Sequence, residues 1–183
     1  MLLAALFLLA SAQPDCRFDR PALMALGQDA FDQDMKGGWR VLDDRGCHME
    51  AADLLRDYRE AQPRPHPSVL FWHEGQIRAI MGQTDAAIGL FGAAREAPAD
   101  DVIGWNLYVD GSVAFLKHDR PALQRARDAL ARIPRPAEYR LVDRRGKPVR
   151  MAWPPNLDVL DGFLKCFDRS YADAYGSRAC STS

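Results

Sequence analysis

Residues 70–91 read LFWHEGQIRAIMGQTDAAIGLF, and the fold turns on what this stretch is. It holds His73-Glu74, the first half of the H-E-x-x-H pattern by which one helix face binds zinc. That pattern needs a second histidine one helical turn later, so that both imidazoles face one metal. Ile77 stands there instead. What remains is a helix over about 68–81, a turn at Gly82-Gln83-Thr84-Asp85 and a partner helix over 86–96. Two helices joined by so short a turn form an antiparallel hairpin, which is a packing unit.

The pattern extends in both directions. Asp19-Arg20-Pro21 opens a helix expected to run to about Gln33, with Leu23, Leu26, Ala30 and Phe31 near one face. Asp19 suits the N-cap and Pro21 the first turn. Gly37-Gly38 breaks it, and the short piece WRVLDDRG follows. The next helix runs over about 48–61, with Ala51, Leu54, Leu55 and Tyr58 on one side, until the prolines of QPRPHP end it. Beyond the break APADD, helices are expected over 102–116 and 121–131, joined by KHDR. The last fifty residues differ. EYRLVDRRGKPVRMAW reads as a β-hairpin about Arg144-Arg145-Gly146-Lys147, and WPPN as a rigid corner. Asn156 then suits the cap of a helix bearing Leu157, Leu160, Phe163 and Leu164, and YADAY a final helical turn.

The hairpins repeat. The turns at Gly46, Gly82 and Lys117 lie 36 and 35 residues apart, and the same offsets relate Ala51, Ala87 and Ala122. In the middle unit Gly75, Gly82, Ala87, Phe91 and Ala94 supply small residues, which let paired helices approach, and an aromatic to fill the gap to the next unit. This order and spacing resembles the tetratricopeptide repeat, whose period is about 34 residues. Trp72 sits one position from the family's usual tryptophan. The outer units depart further, with Leu55 and Tyr58 in the first and Ala126 and Ala129 in the third. The resemblance covers about residues 20–134. It implies an all-α, right-handed stack of about three helical hairpins, over residues 13–136. Residues 137–183 then form a hairpin-and-helix cap of the same domain, or fold into the groove; the cap is the favoured reading.

Composition bounds the function. The 183 residues are 48% apolar and 27% charged, with a net charge of -1 and both signs mixed along the chain. A nucleic-acid partner needs clustered Lys and Arg, so none is expected. Arg outnumbers Lys 20 to 4, as GC-rich bacterial coding favours. The opening MLLAALFLLASAQPDC carries an apolar run from Leu2 to Ala10, then Ala10-Ser11-Ala12, the small-x-small pattern of a signal peptide over residues 1–12. A buried N-terminal helix is the alternative. Neither spans a bilayer, which takes about 20 residues. Cys16, Cys47, Cys166 and Cys180 make an even count in an exported chain, and two disulfides are expected. Three connectivities are possible; Cys16–Cys47 with Cys166–Cys180 is preferred because it staples each end. Export to the periplasm or the medium follows.

No catalytic signature appears. His48, His66 and His118 lack ligand spacing, there is no G-x-S-x-G elbow, and Gly37-Gly38 alone does not make a phosphate loop. Ser68 reads as a helix cap. Asp43-Asp44 and Asp100-Asp101 lie at breaks, where solvated caps are common. No metal, cofactor or catalysis is expected. First helices of tetratricopeptide units line a concave groove, so the resemblance implies that Trp72, Gln76, Arg78, Trp105, Asn106 and Asp110 approach one. The competing reading is core packing for the tryptophans and solvation for the charges. The function expected is a non-catalytic scaffold that binds a peptide or protein. The alternatives are an enzyme with a site between groove and C-terminal segment, or a structural subunit of an envelope complex.

Overall fold

The computed structural model describes residues 14–63, 67–140, 147–149 and 152–181. The expected signal segment, His66 and half of the expected β-hairpin, including Arg144-Arg145-Gly146 of its turn, lie outside these. Among the described residues the protein is all-α. The elements are α1 (Arg20–Met24), a π-helical turn (Asp29–Gln33), α2 (Arg40–Asp43), α3 (His48–Ala61), α4 (Ser68–Ile80), α5 (Thr84–Ala93), α6 (Trp105–Leu116), α7 (Arg120–Leu130), α8 (Leu157–Lys165) and α9 (Tyr171–Gly176). Consecutive helices pack as antiparallel pairs, most extensively α3 with α4, α4 with α5 and α6 with α7.

Local chemistry sets most helix starts. Asp19 caps α1 by accepting from the Ala22 amide at 3.0 Å, with Pro21 in the first turn. The string Asp-Arg-Pro-Ala-Leu recurs at 119–123, and Asp119 caps α7 in the same way through Ala122. Other starts differ from expectation. Pro67, not Ser68, precedes the first residue of α4, and the Ser68 hydroxyl makes no cap bond. The helix expected from 102 begins at Trp105, because Gly104 adopts φ +79° and turns the chain. The Asp101 carboxylate then accepts from the Trp105 and Asn106 amides. Asn156 is left-handed at φ +63° and holds the cap position of α8 by its backbone, with no side-chain bond.

The largest departure is at the N-terminal end. The helix expected to reach Gln33 stops at Met24, and the chain rewinds as the π turn. Wider winding there turns two consecutive side chains, Phe31 and Asp32, inward together. Phe31 stacks on Tyr58 of α3, with ring centroids 3.6 Å apart, and the Tyr58 hydroxyl donates to the Leu26 carbonyl. Gly38, at φ +56°, crosses so close to the Phe31 carbonyl that a Cβ would lie 1.8 Å from its oxygen. That close crossing requires glycine at 38, while a Cβ at Gly37 would meet the Asp34 carboxylate at 2.8 Å.

Two apolar cores result, and α4 belongs to both. Leu70 and Ile77 join Phe31, Trp39, Leu42, Leu54, Leu55 and Tyr58. Trp72 and Ala79 join Phe91, Tyr108, Phe115, Phe163 and Tyr171. The C-terminal segment packs against two parts of the helical stack. Helix α8 packs on α6 and α7, with Phe163 stacked on Phe115 at 4.3 Å, while α9 turns back onto α8 and α4. No β-hairpin is seen among the described residues; Tyr139 closes a turn on the Pro136 carbonyl instead.

Both disulfides form in the preferred pairing, Cys16–Cys47 and Cys166–Cys180. They suggest an oxidising, extracytoplasmic compartment. Among the described residues no helix is long and apolar enough to cross a membrane.

Helix α5 lies close against α4 at Gly75, where a Cβ would meet the Phe91 ring at 2.7 Å. Gly75→Ala is expected to cost about 1–3 kcal/mol by overpacking. Gly89→Ala, on the open face of α5 with nothing within 4 Å, is expected to stabilise by about 0.5–1 kcal/mol. Urea unfolding of the two variants checks both signs.

Candidate functional site

The six groove candidates do not converge on one surface. Trp72 and Trp105 meet, with ring centroids 4.9 Å apart, but Trp72 is buried against Phe91 and Tyr108. The Trp105 indole donates to the Ala94 carbonyl at 2.7 Å. The Asn106 amide clamps the chain after α5, accepting from the Glu96 N–H and donating to its carbonyl. Arg78 faces α3, where Asp53 accepts from it at 2.7 Å. Gln76 is half-buried beneath α9, turned toward the Tyr171 hydroxyl. Asp110 pairs with Arg95 at the surface of α6.

Along α4, His73 and Glu74 enter separate polar networks. Glu74 is buried and accepts from Arg59 of α3 at 2.7 Å and from Arg78, one turn along, at 3.4 Å. Arg59 also lies over the Phe71 ring, 4.1 Å from its centroid. His73 turns to the π turn, where its Nδ1 lies 2.6 Å from an Asp32 carboxylate oxygen. The Trp39 indole donates to the same oxygen at 2.9 Å, Gln33 to the other, and Arg40 to the Asp32 carbonyl.

Asp32 is fully buried. Burial alone would raise its pKa, but His73, Trp39 and Gln33 together hold the carboxyl below the usual range. An ionised carboxylate only accepts hydrogen bonds, so His73 Nδ1 carries a proton and Nε2 is the ring's remaining polar atom. Sequence reading missed this pair because Asp32 and His73 are 41 residues apart and on different elements. The one available signal was a buried-phase acid next to Phe31, legible only with the π winding in hand. A second pair, His48 Nδ1 to Asp43 at 2.7 Å, bridges α2 and the start of α3 near the surface.

No protein-family model, no curated protein and no solved structure matches the chain.

Metal chemistry has little to stand on among the described residues. The group within ligand reach is Cys16, Cys47 and Glu50, and both sulfurs are committed to the disulfide. An open cleft of about 480 Å³ lies between α6 and α7. Leu107, Asp110, Ala114 and Lys117 line it from α6, spaced so that they share one helix face. Ala122, Ala126 and Ala129 line it from α7, with Arg125 and Asp119 at the edge. The adjoining face of α6, bearing Gly111, is taken by Leu160 of α8.

A carboxyl whose folded pKa lies below its unfolded value stabilises above the unfolded value, and that share disappears as pH falls through the folded one. Stability is therefore expected to fall below about pH 4 partly through Asp32. Asp32→Asn should cost about 2 kcal/mol at pH 7 and flatten the acid limb. Urea titrations from pH 2.5 to 7 measure both effects.

Proposed function

We propose that the protein is an exported binding protein, built of tetratricopeptide-like helical pairs, that engages a peptide or protein partner in the periplasm or outside the cell. The observation that supports this most is the α6–α7 cleft. Its floor is apolar, and its rim alternates acid and base through Asp110, Lys117, Asp119 and Arg125. Such a surface suits an amphipathic segment whose apolar side chains enter the floor while its charges meet the rim. Small side chains along α7 let a partner backbone approach closely. Of the six residues expected at a groove, Asp110 lines this cleft.

The Asp32–His73 pair favours a second reading, an enzyme that uses His73 as an acid–base group held in one tautomer by a buried carboxylate. Binding is the stronger reading because the cleft is open and of ligand size, whereas the pair already joins the π turn to α4.

Selection of displayed peptides against the immobilised protein tests this. Ala129→Arg, which places a long cation in the cleft, should weaken the selected peptides at least about tenfold, equal to some 1.4 kcal/mol, without altering the fold. His73→Gln should leave them unaffected. Equal binding by wild type and Ala129→Arg would place the partner elsewhere.

A further inference from the structure

The loop that carries α9 is tied at its base by a disulfide and hydrogen bonds, and at its tip by side-chain packing. The Cys166–Cys180 disulfide closes it over 14 residues. Its base is fixed on α8, where the Cys180 carbonyl oxygen would lie 3.1 Å from a Cβ at Gly162 and Lys165 donates to the Ser181 carbonyl. The tip is the six-residue helix α9, lying on α4. Its backbone hydrogen bonds stay inside the loop: Ala174 donates to the Ser170 carbonyl, Asp173 to the Ser170 hydroxyl, and the Asp173 carbonyl faces Cys180 Sγ.

Two tyrosines, four residues apart and therefore on one face, make the contact. Tyr171 enters the core among Phe91, Phe115 and Phe163. Tyr175 stacks on it at 5.4 Å, meets the Tyr108 hydroxyl and remains 40% exposed. The Tyr171 hydroxyl is buried and lacks a hydrogen bond of good geometry; Gln76 is turned toward it without completing one. Lifting the tip thus breaks no backbone hydrogen bond and returns one dissatisfied hydroxyl to water, against the loss of apolar burial and of the Tyr175–Tyr108 hydroxyl contact. The face uncovered would present Gln76, Phe91, Tyr108 and Phe115, drawn from α4, α5 and α6.

We propose that this face is a docking surface for a short helical turn bearing two aromatic side chains four residues apart. The chain's own Tyr171–Tyr175 turn fills it and acts as an internal competitor. The partner is a peptide segment with that aromatic spacing, which enters when the tip lifts while the disulfide keeps the loop's base on α8. This surface is separate from the α6–α7 cleft and does not depend on it.

The probe is a fluorescein-labelled synthetic peptide of residues 166–181, closed by its disulfide. Full-length Tyr171→Ala protein should bind it at least about tenfold tighter than wild type, a difference of some 1.4 kcal/mol. A peptide with both tyrosines changed to alanine should not bind, and Ala129→Arg in the protein should change nothing. Equal weak binding to a folded Tyr171→Ala protein overturns the proposal. Hydrogen exchange on wild type decides independently, should that variant fail to fold. Amides 174–176 are expected to exchange at least about 100-fold faster than those at the centre of α6. Exchange at the same rate as α6 would make the tip part of the global fold and overturn the proposal.

Discussion

A carboxylate taken out of water must be met by cations, and Glu74 is that carboxylate here. It lies buried at the centre of α4, between Arg59 of α3 and Arg78 of its own helix. Such a cluster adds little net stability, since desolvation of the charges consumes most of their attraction. Its effect is on arrangement. Only one rotation and height of α3 against α4 lets Arg59 reach Glu74 while Arg78 reaches Asp53. A slip of one turn would leave a buried charge unpaired, which costs far more than the pair contributes.

With α4 locked, its helical geometry distributes its neighbours. Successive residues point about 100° apart. Trp72 therefore faces Trp105 and Tyr108 of α6, His73 the π turn, Gly75 the Phe91 ring of α5, and Gln76 the returning α9. Glu74 faces α3, as Arg78 does one turn along. A helix used on every side cannot also line an open groove, which is why the concavity lies one pair further on, between α6 and α7. There α7 keeps one apolar seam and is otherwise polar, so its pair with α6 leaves a face uncovered.

The periodic, local features were legible along the chain. Helices α3, α4 and α7 sit within a residue or two of their expected positions, because their apolar spacing and their prolines and caps are all short-range signals. The disulfide pairing was the preferred one of three, chosen because it staples each end of the chain. The candidate site was less legible. Arg78 and Asn106 looked like groove residues because a first-helix polar side chain has the same appearance whether it meets a ligand or a neighbouring helix. The N-terminal rewinding was hidden too, since Gly27 and the Gly37-Gly38 pair mark breaks without saying which residues then turn inward.

Helical period and cap chemistry decided that this chain is built of antiparallel helix pairs, and the even cysteine count led to the expectation of two disulfides. These are properties of residues within a few turns of one another. The tertiary structure alone decided that His73 meets Asp32, that Glu74 gathers Arg59, and that α9 returns to α4 while α6 and α7 leave a cleft. Each of those joins groups far apart in sequence, and burial rather than spacing selects them: a polar group removed from water must accept whichever partner the packed helices bring within reach.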